Sequence, residues 1–145
     1  MLKPHDRLRI AREQSGKTAQ DLANAAGISV PHYYDLEAHD DELFMTLSLR
    51  ELRELCQSLA VSARYLFANG PRKDNGSVVS FVSIAAALSG YLREHKVSQD
   101  AFENKIGWSL GSLAANPELA WEWNVDCLRD VCSELQIDWM AALPS

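Results

Sequence analysis

Thr18-Ala19-Gln20-Asp21-Leu22-Ala23-Asn24-Ala25-Ala26-Gly27-Ile28-Ser29-Val30-Pro31-His32-Tyr33-Tyr34-Asp35-Leu36-Glu37 carries two helix-start signals on either side of one glycine. Thr18 and Asp21 stand three apart, the spacing at which a hydroxyl and a carboxylate satisfy each other's exposed amides at a helix start. Leu22, Ala23 and Ala26 then recur at helical intervals, and Gly27 follows as a C-cap. Ser29 is the next N-cap, and Pro31 falls in the first turn of its helix, where a missing N–H costs little. Two short helices joined by a tight turn are expected here.

Outward from that pair the helical period continues. Leu8 precedes it, and Leu49, Leu52, Leu55, Cys56 and Leu59 follow Ser48 and Glu51, a second capping pair. The first half therefore reads as five short helices near 6–15, 18–25, 29–37, 48–58 and 62–68, with almost no strand-like alternation. Asn69-Gly70-Pro71-Arg72-Lys73-Asp74-Asn75-Gly76-Ser77 has no periodic apolar face and reads as a linker. The expected division is a first domain over 1–68, a linker over 69–77 and a second helical domain over 78–145.

The two halves carry one pattern. An offset of 80 pairs Leu8 with Leu88, Thr18 with Ser98, Leu22 with Phe102, Gly27 with Gly107, Ser29 with Ser109 and Tyr33 with Leu113. An offset of 76 pairs Leu49, Leu52, Arg53, Glu54, Leu55, Cys56, Leu59, Val61 and Ser62 with Val125, Leu128, Arg129, Asp130, Val131, Cys132, Leu135, Ile137 and Asp138. This is an internal repeat whose second copy is four residues shorter between its third and fourth helices.

Composition sets limits on function. Of 145 residues, 20 are Asp or Glu and 14 are Lys or Arg, a formal charge of −6, with 47% hydrophobic residues. That balance describes a soluble globular chain with no bulk attraction for a phosphate backbone or an anionic membrane, so any nucleic-acid contact needs a local basic patch. Val78 to Tyr91 is too short to span a bilayer, and the charged first residues leave no apolar signal core, so a cytoplasmic protein is expected. Cys56, Cys127 and Cys132 form no C-x-x-C pair and read as buried thiols; His5, His32, His39 and His95 are scattered, so neither zinc nor another cofactor is expected. No Gly-rich phosphate loop, nucleophile elbow or short-spaced His-carboxylate group is present, and the chain does not read as an enzyme.

The run from Thr18 to Glu37 resembles the helix-turn-helix of the lambda-repressor-like (Xre) family, and Leu47 to Leu59, Val61-Ser62 and Leu66-Phe67 resemble that family's two closing helices. The resemblance covers roughly residues 6–68 and implies an all-α fold of two tandem five-helix repeats joined by a short linker, the second repeat degenerate. It also implies a structural ion pair between Arg12 and Glu37, whose counterparts in the second copy are Leu92 and Pro117. Pro117 requires the third helix of that copy to end near Asn116. In function it implies a DNA-binding transcriptional regulator of prokaryotic or phage type, a homodimer being a common form.

On this reading the base-facing candidates are Ser29, Val30, Pro31, His32, Tyr34 and Asp35, and the phosphate candidates are Lys3, Arg7, Arg9, Lys17, Thr18 and Gln20. Arg, Lys, Asn and Gln, the side chains best shaped to read base edges, are missing from the first set. Asp35, Glu37, Asp40, Asp41 and Glu42 place five carboxylates in eight residues beside it. The alternative is a helix-turn-helix scaffold that binds a basic protein partner, as an antitoxin, an immunity protein or an antagonist of a regulator does. Asp40, Asp41, Glu42, Trp121 and Trp123 are its interface candidates. The tryptophans are otherwise core, with Val78, Val79, Phe81, Val82, Ile84, Ala85, Leu88, Trp108 and Trp139.

Overall fold

In the computed structural model, which describes residues 2–68 and 79–144, Thr18 Oγ1 accepts from the Asp21 N–H at 3.1 Å and Asp21 accepts from the Thr18 N–H at 3.0 Å. This reciprocal cap starts α2 (Ala19–Ala26), and Gly27 ends it at φ +74°, a left-handed conformation open to glycine at little cost. Ser29 Oγ then accepts from the His32 N–H and opens α3 (Val30–Ala38). α1 (Pro4–Ser15) precedes the pair, beginning at Pro4, whose fixed φ suits a first helical turn. Ser48 and Glu51 cap α5 (Leu49–Leu59), and α6 (Ala63–Ala68) closes the first half.

One element lies outside the expected five. α4 (Glu42–Met45) is a single turn inside the acidic segment, formed because Leu43 is fully buried and Phe44 sets its edge on Phe67, ring centroids 5.0 Å apart. An apolar pair inside a run of carboxylates was outweighed in the sequence by the charge around it.

The second half begins in the same manner. Ser80 caps α7 (Phe81–His95), Ser98 caps α8 (Gln99–Ile106), and Gly107 ends α8 at φ +82°. The third helix expected near 109–116 is replaced by a non-helical turn. Leu110 and Leu113 are buried there, Gly111 takes φ +62°, and the chain is tied back to α8 through Gln99 Nε2 to the Gly111 carbonyl at 2.6 Å and the Leu110 N–H to Glu103 at 2.7 Å. The first of those bonds takes a carbonyl that a helix would pair internally, and Pro117 disfavours helical backbone at Asn116. A 3-10 helix, η1 (Pro117–Glu122), follows, then α9 (Val125–Glu134) and a second 3-10 helix, η2 (Trp139–Ala142). Among the described residues regular structure is entirely helical, apart from one isolated antiparallel bridge between Ser48 and Asn124.

The core runs through both halves. Leu8, Leu22, Tyr33, Leu36, Leu52 and Leu55 are fully buried in the first, and Ile84, Leu88, Leu113, Leu128, Val131 and Cys132 in the second. Each aliphatic side chain among them gains about 1.5–3 kcal/mol from leaving water, which makes up for the weak intrinsic stability of helices this short. The halves meet where α4, α5 and α6 face η1, α9 and η2: the Leu49 N–H donates to the Trp123 carbonyl at 2.7 Å, and Phe67 stacks edge-on against Trp139. Among the described residues no helix is long and apolar enough to cross a membrane. The segment read as a linker, 69–77, lies outside the described residues, as does Val78.

Candidate interaction face around the helix-turn-helix

α3 is held against α1 by Arg12, whose Nε donates to Glu37 Oε2 at 2.6 Å and whose Nη2 donates to Oε1 at 3.0 Å. The two-pronged contact fixes the azimuth of α3, because a planar guanidinium meets a carboxylate in one orientation. Tyr33 is buried beside the pair, and burial, followed by the Glu37 charge, raises its phenol well above the usual range. Tyr33 and Leu36 therefore face inward with Glu37 beside them, and Pro31, Tyr34 and Asp35 point out.

The six base-facing candidates divide by what they touch. Ser29 is used as the N-cap, and Val30 is half-buried against the core. The Thr46 hydroxyl donates to the Glu42 carbonyl at 2.8 Å, so the His32 ring Nε2–H donates to Thr46 Oγ1 at 2.7 Å, turning the ring toward α4. Pro31, Tyr34 and Asp35 are exposed; Tyr34 keeps 58% of its surface and is the largest of the three. An aromatic ring, a proline and a carboxylate form the outward face of α3.

The phosphate candidates divide likewise. Arg7 leaves the set: it is 7% exposed, and its Nη1 donates to the Leu66 carbonyl at 2.9 Å, tying α1 to α6. A guanidinium held inside the fold cannot reach a phosphate without leaving that carbonyl unpaired. Lys3 Nζ lies 2.6 Å from Asp40, and Lys17 Nζ donates to the Ser58 carbonyl at 2.7 Å and its hydroxyl at 3.0 Å. Thr18 caps α2, Gln20 donates to Asn24 at 2.8 Å, and Arg9 stands exposed, 3.8 Å from Asp6.

Asp40 is thus partly neutralised by Lys3, whereas Asp35, Asp41 and Glu42 have no ion pair among the described residues. Met45, 57% exposed, adds an apolar side chain at the end of α4 that sequence reasoning missed. A signal existed in Leu43-Phe44-Met45, three apolar residues beyond the carboxylates. A cleft of about 330 Å³ borders Met45, with Thr46, Trp108, Trp123 and Cys127 among its walls.

Of Trp121 and Trp123, named with this face, only Trp123 borders it, as a wall of the cleft beside Met45. Trp123 is buried, and Trp121 is half-covered between Phe81, at 4.8 Å, and the Arg53 guanidinium, 4.5 Å from the ring centroid. Both lie where the two halves meet. In the second half Lys105 and Tyr91 both donate to Glu134 Oε1, at 2.5 and 2.8 Å, so the lysine beside a surface groove lined by Gly90, Tyr91 and Glu134 is compensated. Burial pushes the thiols of Cys56, Cys127 and Cys132 up to about 12, which leaves them protonated and unreactive at neutral pH. Among the described residues no group of three or more His, Cys, Asp or Glu is placed to hold a metal ion.

No family model, curated protein or solved structure matches this chain.

Proposed function

We propose that the chain is a two-repeat, repressor-like helix-turn-helix protein that binds a basic protein partner through the acidic end of its first repeat, without catalysis and without reading a DNA sequence. One observation carries this reading: from Ser29 to Thr46 the chain contains no Arg, Lys, Asn or Gln, while Asp35, Asp41 and Glu42 carry charge with no ion pair among the described residues. A helix-turn-helix on DNA puts the start of its second helix among base edges and the following segment beside phosphates. Duplex DNA presents one negative charge per about 1.7 Å, so those carboxylates oppose docking, and no base-reading side chain repays the cost. A basic protein surface reverses the sign, and Tyr34 and Met45 supply apolar contact next to the charge.

The second reading, an operator-binding regulator, is favoured by the intact geometry of α2 and α3 with both caps in place and by exposed Arg9. Two measurements separate the readings. Selection on random duplex DNA across a salt series is expected to enrich no sequence; an enriched sequence whose binding is lost in Tyr34→Ala overturns the proposal. A stoichiometric partner co-purified from the native source is expected to weaken with salt and to be lost in Asp35→Asn/Asp41→Asn/Glu42→Gln, with the fold unchanged.

A further inference from the structure

The contacts between the halves obey a rule that neither half shows alone. Ser48 forms its antiparallel bridge with Asn124, which is 76 positions further on. Arg64 Nε donates to the carbonyl of Met140 at 3.0 Å, again 76 positions on. In both cases a residue meets its own counterpart in the register that aligns α5 with α9. Off these points the contacts come in exchanged pairs: α5 lies against η1 while α4 lies against α9, and the Arg53 guanidinium covers the η1 ring Trp121 while that of its counterpart Arg129 covers the α4 ring Phe44, at 4.5 and 5.1 Å, although Phe44 stands one residue out of the register, its own counterpart being Ala120. Residue i meeting j′ while j meets i′, with self-paired residues on an axis, defines an isologous two-fold interface.

We infer that the second half occupies the place of a second copy of the first, so that the chain is a single-chain pseudo-dimer whose pairing surface on α4, α5 and α6 is closed from within. The occupant of that surface is fixed by the register: it fits another first half, and the covalently attached copy holds it at a high effective concentration. Two consequences follow. The chain is monomeric, and it offers one complete helix-turn-helix per molecule, because the segment equivalent to α3 is the turn at 109–116. Any partner of the first-half face is then bound one to one. This inference rests on the two-repeat reading and holds whether the ligand is protein or DNA.

The test uses the full chain. Sedimentation of the parent over a wide concentration range is expected to give the mass of one chain; a dimer overturns the inference. Trp121→Ala/Trp139→Ala removes two rings that cross the interface while leaving the first-half surface intact, and is expected to self-associate. Adding Ser48→Cys to that variant is expected to give a disulfide-linked product of twice the chain mass on mild oxidation, because self-paired residues of two copies meet on the axis at Cα distances near 4.5–5.5 Å. A folded variant that stays monomeric and unlinked overturns the inference. Should the opened variant fail to fold, Ser48→Cys/Asn124→Cys in the otherwise intact chain decides: linkage within one chain supports the pseudo-dimer, and linkage between chains or none sinks it. The three native thiols are buried and do not compete.

Discussion

Arg12 and Glu37 meet through two hydrogen bonds, 2.6 and 3.0 Å long, that tie α1 to α3 across 25 residues of chain. Glu37 keeps only 10% of its side-chain surface and Arg12 24%, so either charge left alone is largely cut off from water. Glu37→Leu and Arg12→Met are each expected to cost about 2–3 kcal/mol, below the range for fully buried pairs because Arg12 retains some solvent. The double variant is expected to recover most of that loss. Urea denaturation of the three variants checks it, and a double variant as unstable as the sum of the singles contradicts it.

Trp121 serves both halves, resting on Phe81 within its own and under Arg53 of the other. Arg53→Met keeps the length of the side chain and removes the nearer of two cations over the ring, Arg50 lying 5.8 Å from its centroid, with an expected cost of about 1 kcal/mol. Trp121→Ala is expected to cost about 3 kcal/mol or more, since it opens a cavity at the junction. Thermal melting of both variants gives the comparison, and an Arg53→Met variant as stable as the parent would show that ring packing, with no share from this cation, sets the contact.

Tyr34 is expected to behave in the opposite way. With more than half its surface in water, Tyr34→Ala should move stability by no more than about 0.5 kcal/mol. Partner affinity is expected to fall at least tenfold in the same variant. Calorimetric titration against the co-purified partner checks this, and unchanged affinity removes the ring from the contact surface.

Stability is expected to fall at both ends of the pH range. The Thr18 amide holds Asp21 below its ordinary 3.8, and Lys105 together with Tyr91 holds Glu134 below 4.5. The unfolded chain therefore takes up protons first on acidification; the stability these carboxylates give is present above their ordinary values and lost as pH falls through the folded ones. At the alkaline end the three thiols stay protonated up to about 12 when folded but ionise near 9.0 when unfolded, so stability declines above about pH 9. Melting temperatures from pH 2 to 10 check the shape. Asp21→Asn should flatten the acid limb, and an unchanged limb would assign it to other carboxylates.

Local signals alone placed most of the first half. Thr18 with Asp21, Ser48 with Glu51, Gly27 and Ser29 each act within four residues, and caps of that kind work wherever the rest of the chain goes. The pairing of Arg12 with Glu37 came from the family resemblance, since nothing in their spacing would have joined them. Arg7 was misplaced among the phosphate candidates because an arginine on a helix reads as exposed; the Leu66 carbonyl that captures it is 59 residues away. Trp121 and Trp123 could be named as unusual in sequence but not located.

Short-range spacing and composition were enough for the helical class, for the starts of α2, α3 and α5 and for the acidic run beside α3. Tertiary structure alone decided that α4 forms inside that run, that the turn at 109–116 replaces a helix, and that the halves meet in one register with Ser48 on Asn124 and Arg64 on Met140. The physical reason is common to the three. Each depends on apolar burial or on hydrogen bonds whose partners lie far away in sequence or in the other half, and spacing along one strand of sequence does not record which distant groups will share a desolvated contact.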